Sequence, residues 1–187
     1  MAKSDSPVKL THEDWLYFPD DLRRHELIDG EHYASGAPGT KHQLIVANLV
    51  VTLGTFVHEN DLGRMVCAPF AVVLSDVDVV QPDLIFLARE HLDRLTEDDL
   101  RGAPDLAVEV LSEPTRGRDE MAKRHLYERH GVREYWIVDP VTESVRIHRL
   151  GDDGRFRRLD ELRREDDHTL ESPLVPGFHL PLAELFA

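Results

Sequence analysis

Three short segments of this chain are apolar on nearly every residue, and two of them hold a single carboxylate. Asp83 lies in Val79-Val80-Gln81-Pro82-Asp83-Leu84-Ile85-Phe86-Leu87 and Glu109 in Leu106-Ala107-Val108-Glu109-Val110-Leu111, while Tyr135-Trp136-Ile137-Val138 carries no charge. Strands that are apolar on successive residues are covered on both faces, whereas half-exposed strands alternate. The chain is therefore expected to form an α/β fold, a mixed β-sheet flanked by helices. A carboxylate among aliphatic neighbours is costly to desolvate unless a cation pairs with it. Two of them on neighbouring strands can share a metal ion, as in sites that cleave phosphodiesters. The alternative is a pair of strand-end acids that reach water or form salt bridges.

The 187 residues fit one domain with one core, and 41% hydrophobic and 31% charged residues are ordinary for a globular protein. No apolar run approaches the roughly 18 residues of a membrane span, and Met1 to Lys9 has no apolar signal-peptide region. Residues 1–9 are expected to be a flexible terminus and 10–187 the folded domain. Cys67 is the single cysteine, which excludes an intrachain disulfide and fits a cytoplasmic, reducing setting.

The net charge of −14 opposes a nucleic-acid partner, because phosphate contacts need Lys and Arg. The charge is unevenly spread, however. Residues 1–114 carry 9 basic and 21 acidic side chains, residues 115–187 carry 13 and 15. Arg116, Arg118, Lys123, Arg124, Arg129 and Arg133 cluster between Thr115 and Arg133, where a local positive surface is expected.

Leu10 to Phe18 reads as a short helix capped by Thr11 with Glu13 and Asp14 in its first turn. His25 to Tyr33 reads as two strands around the Asp29-Gly30 turn. Thr40 to Glu59 reads as a long, largely buried helix, Gly63 to Ser75 as strand-rich, and Arg89 to Arg101 as a charged helical connection between the Asp83 and Glu109 strands. A helix over Arg118 to His130 stops at Gly131, a strand covers Glu134 to Val138, and a hairpin turns at Gly151 to Gly154. The proline-broken tail from Ser172 to Phe186 is expected on the surface.

Pro82 cannot donate to a strand ladder, which places Asp83 near a strand start that an ion can reach. Asp119, Lys123 and Tyr127 recur every four residues on one helix face. A lysine near two carboxylates keeps them ionised, orients an attacking water and stabilises charge on a scissile phosphate. Otherwise Lys123 is a surface partner of Asp119. His42 is either a site residue or a polar residue at a helix start. Glu26 either faces the site or pairs with Arg23, Arg24 or His25. Tyr135 and Trp136 read as core, and Asp105 as a strand-entry residue.

Glu26-Leu27-Ile28-Asp29-Gly30-Glu31, Lys41-His42, Gln81-Pro82-Asp83-Leu84, Ala103 to Ser112, the Asp119, Lys123 and Tyr127 set, and Gly131 to Pro140 occur in this order along the chain. Together they resemble the Uma2-like endonuclease family of the PD-(D/E)XK, restriction-endonuclease-like superfamily. The resemblance implies a single restriction-endonuclease-like domain that hydrolyses DNA phosphodiester bonds with Mg²⁺ or Mn²⁺. It implies that Asp83 and Glu109 are metal ligands and that Lys123 replaces the lysine normally found two residues after the second acid, where Leu111 stands. It also makes His42 and Glu26 residues that face the site. The chain departs from the family's Ser-Pro-Ser-Thr in reading Ser112-Glu113-Pro114-Thr115, which adds negative charge. Weak, metal-assisted DNA binding by a homodimer is expected, with a catalytically silent binding or assembly module as the alternative.

Overall fold

The computed structural model describes residues 8–187. Most of the expected flexible segment 1–9 therefore lies outside the described residues. Lys9, which is within them, reaches Asp29 at 2.5 Å.

The first helix, α1 (His12–Trp15), starts at a capping box in which Thr11 and Asp14 exchange hydrogen bonds. β1 (Arg24–Ile28) and β2 (Glu31–Ser35) form the expected hairpin. Asp29 and Gly30 turn it with φ of 54° and 77°, the two left-handed residues that a primed two-residue turn requires. α2 (Thr40–Leu49) continues through a wider π-helical turn at Val50–Gly54 into α3 (Thr55–Glu59). Burial in this helix is narrower than expected. Ile45, Leu49, Leu53 and Val57, four residues apart, form the buried stripe, while Leu44 and Val51 face outward.

β3 (Gly63–Cys67), β4 (Ala71–Ser75), β5 (Asp78–Val80) and β6 (Leu84–Ala88) follow. The connection to Arg101 is helical over Arg89–Arg94 alone and ends as β7 (Asp99–Arg101), which pairs in parallel with β4. Leu100 is the one apolar residue of that strand and is fully buried, so no periodicity marked it. After β8 (Leu106–Val110), a π-helical turn at Arg118–Lys123 leads into α4 (Arg124–His130), which ends at Gly131 with φ of 80°. β9 (Glu134–Asp139), β10 (Ser144–Leu150), β11 (Phe156–Arg163), β12 (Thr169–Leu170), β13 (Leu180–Pro181) and α5 (Leu182–Leu185) complete the chain.

The strands form two main sheets rather than one. One has the order β2-β1-β5-β4-β7, the other β11-β10-β9-β8-β6-β3, and β8 and β9 are the parallel neighbours of the second. Alternation divides the six-stranded sheet into two faces. Leu84, Phe86, Leu106, Val108, Val110, Trp136 and Val138 pack on the α2–α3 stripe. Ile85, Leu87, Ala107, Leu111, Tyr135 and Ile137 pack with Leu126 and Tyr127 of α4 and with Ile28, Val72, Val80 and Leu100 of the five-stranded sheet. The tail is not a surface appendage. Val175, Phe178, Leu180, Leu182, Leu185 and Phe186 join the first of these clusters. Among the described residues no helix is long and apolar enough to cross a membrane.

Candidate active site

Strand register brings the acids together. β6 and β8 pair antiparallel as Leu84↔Val108 and Ile85↔Ala107, and one further step sets Asp83 opposite Glu109. Asp83 shares its strand face with Ile85 and Leu87, and Glu109 shares its face with Ala107 and Leu111, so both side chains enter the space between the sheets. On β1, Arg24 and Glu26 have the parity of Ile28 and point into the same space from the other sheet. The turn leading into α4 closes it with Asp119 and Lys123, and Tyr127 follows on the same helix face.

Each charge has a defined partner. Arg24 Nη1 donates to Asp83 Oδ1 at 2.5 Å. His42 Nε2 donates to Asp83 Oδ2 at 3.0 Å, and the Val110 N–H reaches the same oxygen at 2.8 Å. Lys123 Nζ lies 2.7 Å from both Glu109 Oε1 and Glu26 Oε1, and 3.6 Å from Asp119 Oδ1. Tyr127 O–H donates to Glu109 Oε1 at 2.9 Å, and the Gln81 N–H to Glu26 Oε1 at 2.8 Å. Arg118 Nη2 is 3.3 Å from Glu26 Oε2. Glu26, His42, Asp83, Glu109, Asp119 and Lys123 are all buried. They border a cavity of about 340 Å³ whose rim is formed by residues 35–39 and 112–115.

Burial and partners pull the site's titrations apart. Burial pushes Glu109 up to about 8, with Lys123 opposing and Asp119, Asp83 and Glu26 reinforcing the shift. Burial would raise Asp83 as well, but the His42 hydrogen bond and the Arg24 guanidinium outweigh it and hold the carboxyl below its ordinary value. Burial opposes the charge on Lys123, yet Glu109, Glu26 and Asp119 together raise its proton affinity above that of an ordinary lysine. Asp119 is raised by burial. Four buried polar side-chain atoms among the described residues have no hydrogen-bond partner, and three of them belong to this cavity: His42 Nδ1, Arg118 Nε and Asp119 Oδ1. Such orphans are rare in folded proteins.

The structure thus brings Asp83, Glu109, Lys123, His42 and Glu26 to one place. Lys123 is not a surface partner of Asp119, since its side chain is 3% exposed and bonded to Glu109 and Glu26. Glu26 pairs with Arg118 and Lys123 rather than with Arg23, Arg24 or His25. Tyr135 and Trp136 are buried core residues, and Asp105 fixes the Ala88 N–H, His91 and Arg133. Arg24 and Arg118 are site residues that sequence reasoning passed over. The parity of Arg24 with Glu26 on one strand was a usable signal for the first. The positive surface expected between Thr115 and Arg133 is largely neutralised, because Arg116 pairs with Asp139, Arg129 with Asp78 and Arg133 with Asp105.

Among the described residues no three His, Cys, Asp or Glu side chains converge as a preformed metal centre. Mg²⁺ rarely needs one, for it commonly takes one or two carboxylates and completes its shell with water and substrate phosphate. Asp83 and Glu109 meet that requirement as hard oxygen donors facing one cavity. The hydrogen bonds from Lys123 and Tyr127 both fall on Glu109 Oε1. The donor set fits a divalent cation.

Residues 12–183 match the model of the Uma2 family, described as "Putative restriction endonuclease". No curated protein sequence matches the chain. Among solved structures, "a putative nuclease belonging to DUF820 from Anabaena variabilis" superposes with a TM-score of 0.78 at 21% identity, covering 96% of this chain and 98% of that one. The fold is the restriction-endonuclease-like α/β fold.

Proposed function

The chain belongs to the Uma2 family, and from that premise we propose that the cavity between Asp83, Glu109 and Lys123 is the catalytic centre of an endonuclease that hydrolyses DNA with Mg²⁺ or Mn²⁺. The observation that carries this reading is the convergence of two facing carboxylates, a buried lysine and three orphaned polar atoms on one cavity. Asp83 and Glu109 would hold the ion, which supplies Lewis-acid activation of a phosphate and a water.

The chain's own groups do the remaining work. Arg24, His42 and the Val110 N–H fix the Asp83 carboxylate from three directions. Lys123 keeps its proton, because three carboxylates raise its affinity for it, so it acts as a fixed positive charge beside the phosphate rather than as a base. Glu26 holds that ammonium in place and forms an ion pair with Arg118 as well. His42 contacts Asp83 through Nε2, and its Nδ1 has no hydrogen-bond partner among the described residues.

A second reading has a specific basis. The net charge of −14 and the pairing of the Thr115–Arg133 cations with acids suit a catalytically silent module that binds or assembles. A homodimer would serve either reading by joining two cavities on one partner. Incubation of supercoiled plasmid with the protein and Mg²⁺ or Mn²⁺, against the same mixture in chelator, decides between them. Chelator-sensitive nicking is expected from the nuclease, and an intact plasmid under every ion would leave the silent module.

A further inference from the structure

We propose that Arg118 binds a non-bridging oxygen of the substrate's phosphodiester, an assignment that rests on the nuclease reading above. Three cations line the cavity, and two are fully engaged. Arg24 is bonded to Asp83, and Lys123 is enclosed by Glu109 and Glu26.

Arg118 differs. Its guanidinium carbon lies 5.3 Å from the centroid of the Tyr33 ring, and Nη2 is 3.3 Å from Glu26 Oε2. One face and one edge of the planar group are thus fixed, while Nε–H is buried with no acceptor among the described residues. A buried donor left unpaired is unfavourable unless something else completes it. A non-bridging phosphodiester oxygen is an anionic acceptor of the kind a guanidinium N–H pairs with in a charge-assisted hydrogen bond. Arg118 lines the same cavity as Asp83 and Glu109, and its rim is uncrowded at Gly36 and Gly39, where an added Cβ would meet nothing within 4 Å. Tyr33 sits on β2 and Arg118 at the start of the turn into α4, so the hairpin sheet and the helix together aim the group.

The test uses the full chain and a short fluorescein-labelled DNA duplex, followed by anisotropy in Ca²⁺, with steady-state cleavage in Mg²⁺ alongside. R118Q removes the charge. R118K keeps a cation for Glu26 but loses the Nε–H and the fork, and it guards against misfolding in R118Q. Both variants are expected to bind the duplex about tenfold more weakly or worse, with KM raised more than kcat is lowered and with R118K melting near the wild type. A purely structural Arg118 would lower the melting temperature and leave R118K affinity intact, which overturns the proposal, as does a wild type that fails to bind the duplex. If Arg118-dependent binding is found without cleavage under any ion, the nuclease reading falls and the anion site stands. If cleavage is found and R118K has an unchanged KM, Arg118 falls alone.

Discussion

Lys123 Nζ lies 2.7 Å from Glu109 Oε1 in the interior of the protein, with the two side chains 3% and 4% exposed. Water does little to screen this ammonium, which Glu26, Glu109 and Asp119 share, and removing it leaves buried acids without their common cation. Lys123→Met should therefore lower unfolding stability by about 3–5 kcal/mol as well as abolish activity. Urea denaturation measures the loss. A change within the scatter of surface substitutions would show that the pair is not buried in solution.

The same burial sets a pH dependence. Glu109 is pushed up to about 8 from an ordinary value of 4.5. Between those values the folded chain holds a proton that the unfolded chain has lost. The associated stability is complete below about pH 4.5 and is lost as pH rises through 8. Urea midpoints measured across this window should fall for the wild type and fall less for Glu109→Gln. Identical slopes in the two proteins would remove Glu109 as the source.

A cation that binds between Asp83 and Glu109 should stabilise the fold. With Mn²⁺ at a hundredfold excess over its dissociation constant, the gain is about 2.7 kcal/mol. Thermal melts of the wild type should rise with Mn²⁺, and those of Asp83→Asn and Glu109→Gln should stay level. An equal rise in all three would place the ion elsewhere.

Asp78 provides a contrast, a buried acid with a structural task. It accepts hydrogen bonds from the Asp29 N–H, Ser75 Oγ, Arg129 Nη2 and His130 Nε2 at 2.7–3.0 Å, tying β5 to the hairpin turn and to the end of α4. Asp78→Ala leaves several donors unpaired and should lower stability by about 2 kcal/mol without changing cleavage per folded molecule. Loss of cleavage in fully folded Asp78→Ala would tie this acid to the reaction.

The α/β class and the convergence of the candidate residues were legible in the sequence, and the arrangement of the strands was less so. Asp83 and Glu109 announced themselves because a carboxylate among aliphatic residues demands a partner. Lys123 was found through its four-residue spacing from Asp119 and Tyr127. Arg24 and Arg118 escaped because their acids lie far away in sequence and pairing leaves no local trace. The division into two sheets escaped because β5 and β7 have three residues each, too few to show alternation. The buried tail escaped because its one period, the two-residue alternation of Phe178, Leu180 and Leu182, is short and is interrupted by Pro181. The basic stretch misled for the opposite reason, since its charges were visible and the acids that neutralise them were not.

The most direct test of the central claim is nicking of supercoiled plasmid in Mg²⁺ or Mn²⁺ by three folded proteins: the wild type, Asp83→Ala and Asp78→Ala. Metal-dependent nicking by the wild type and Asp78→Ala, with none from Asp83→Ala, is the predicted result. Nicking that survives in Asp83→Ala would contradict the account.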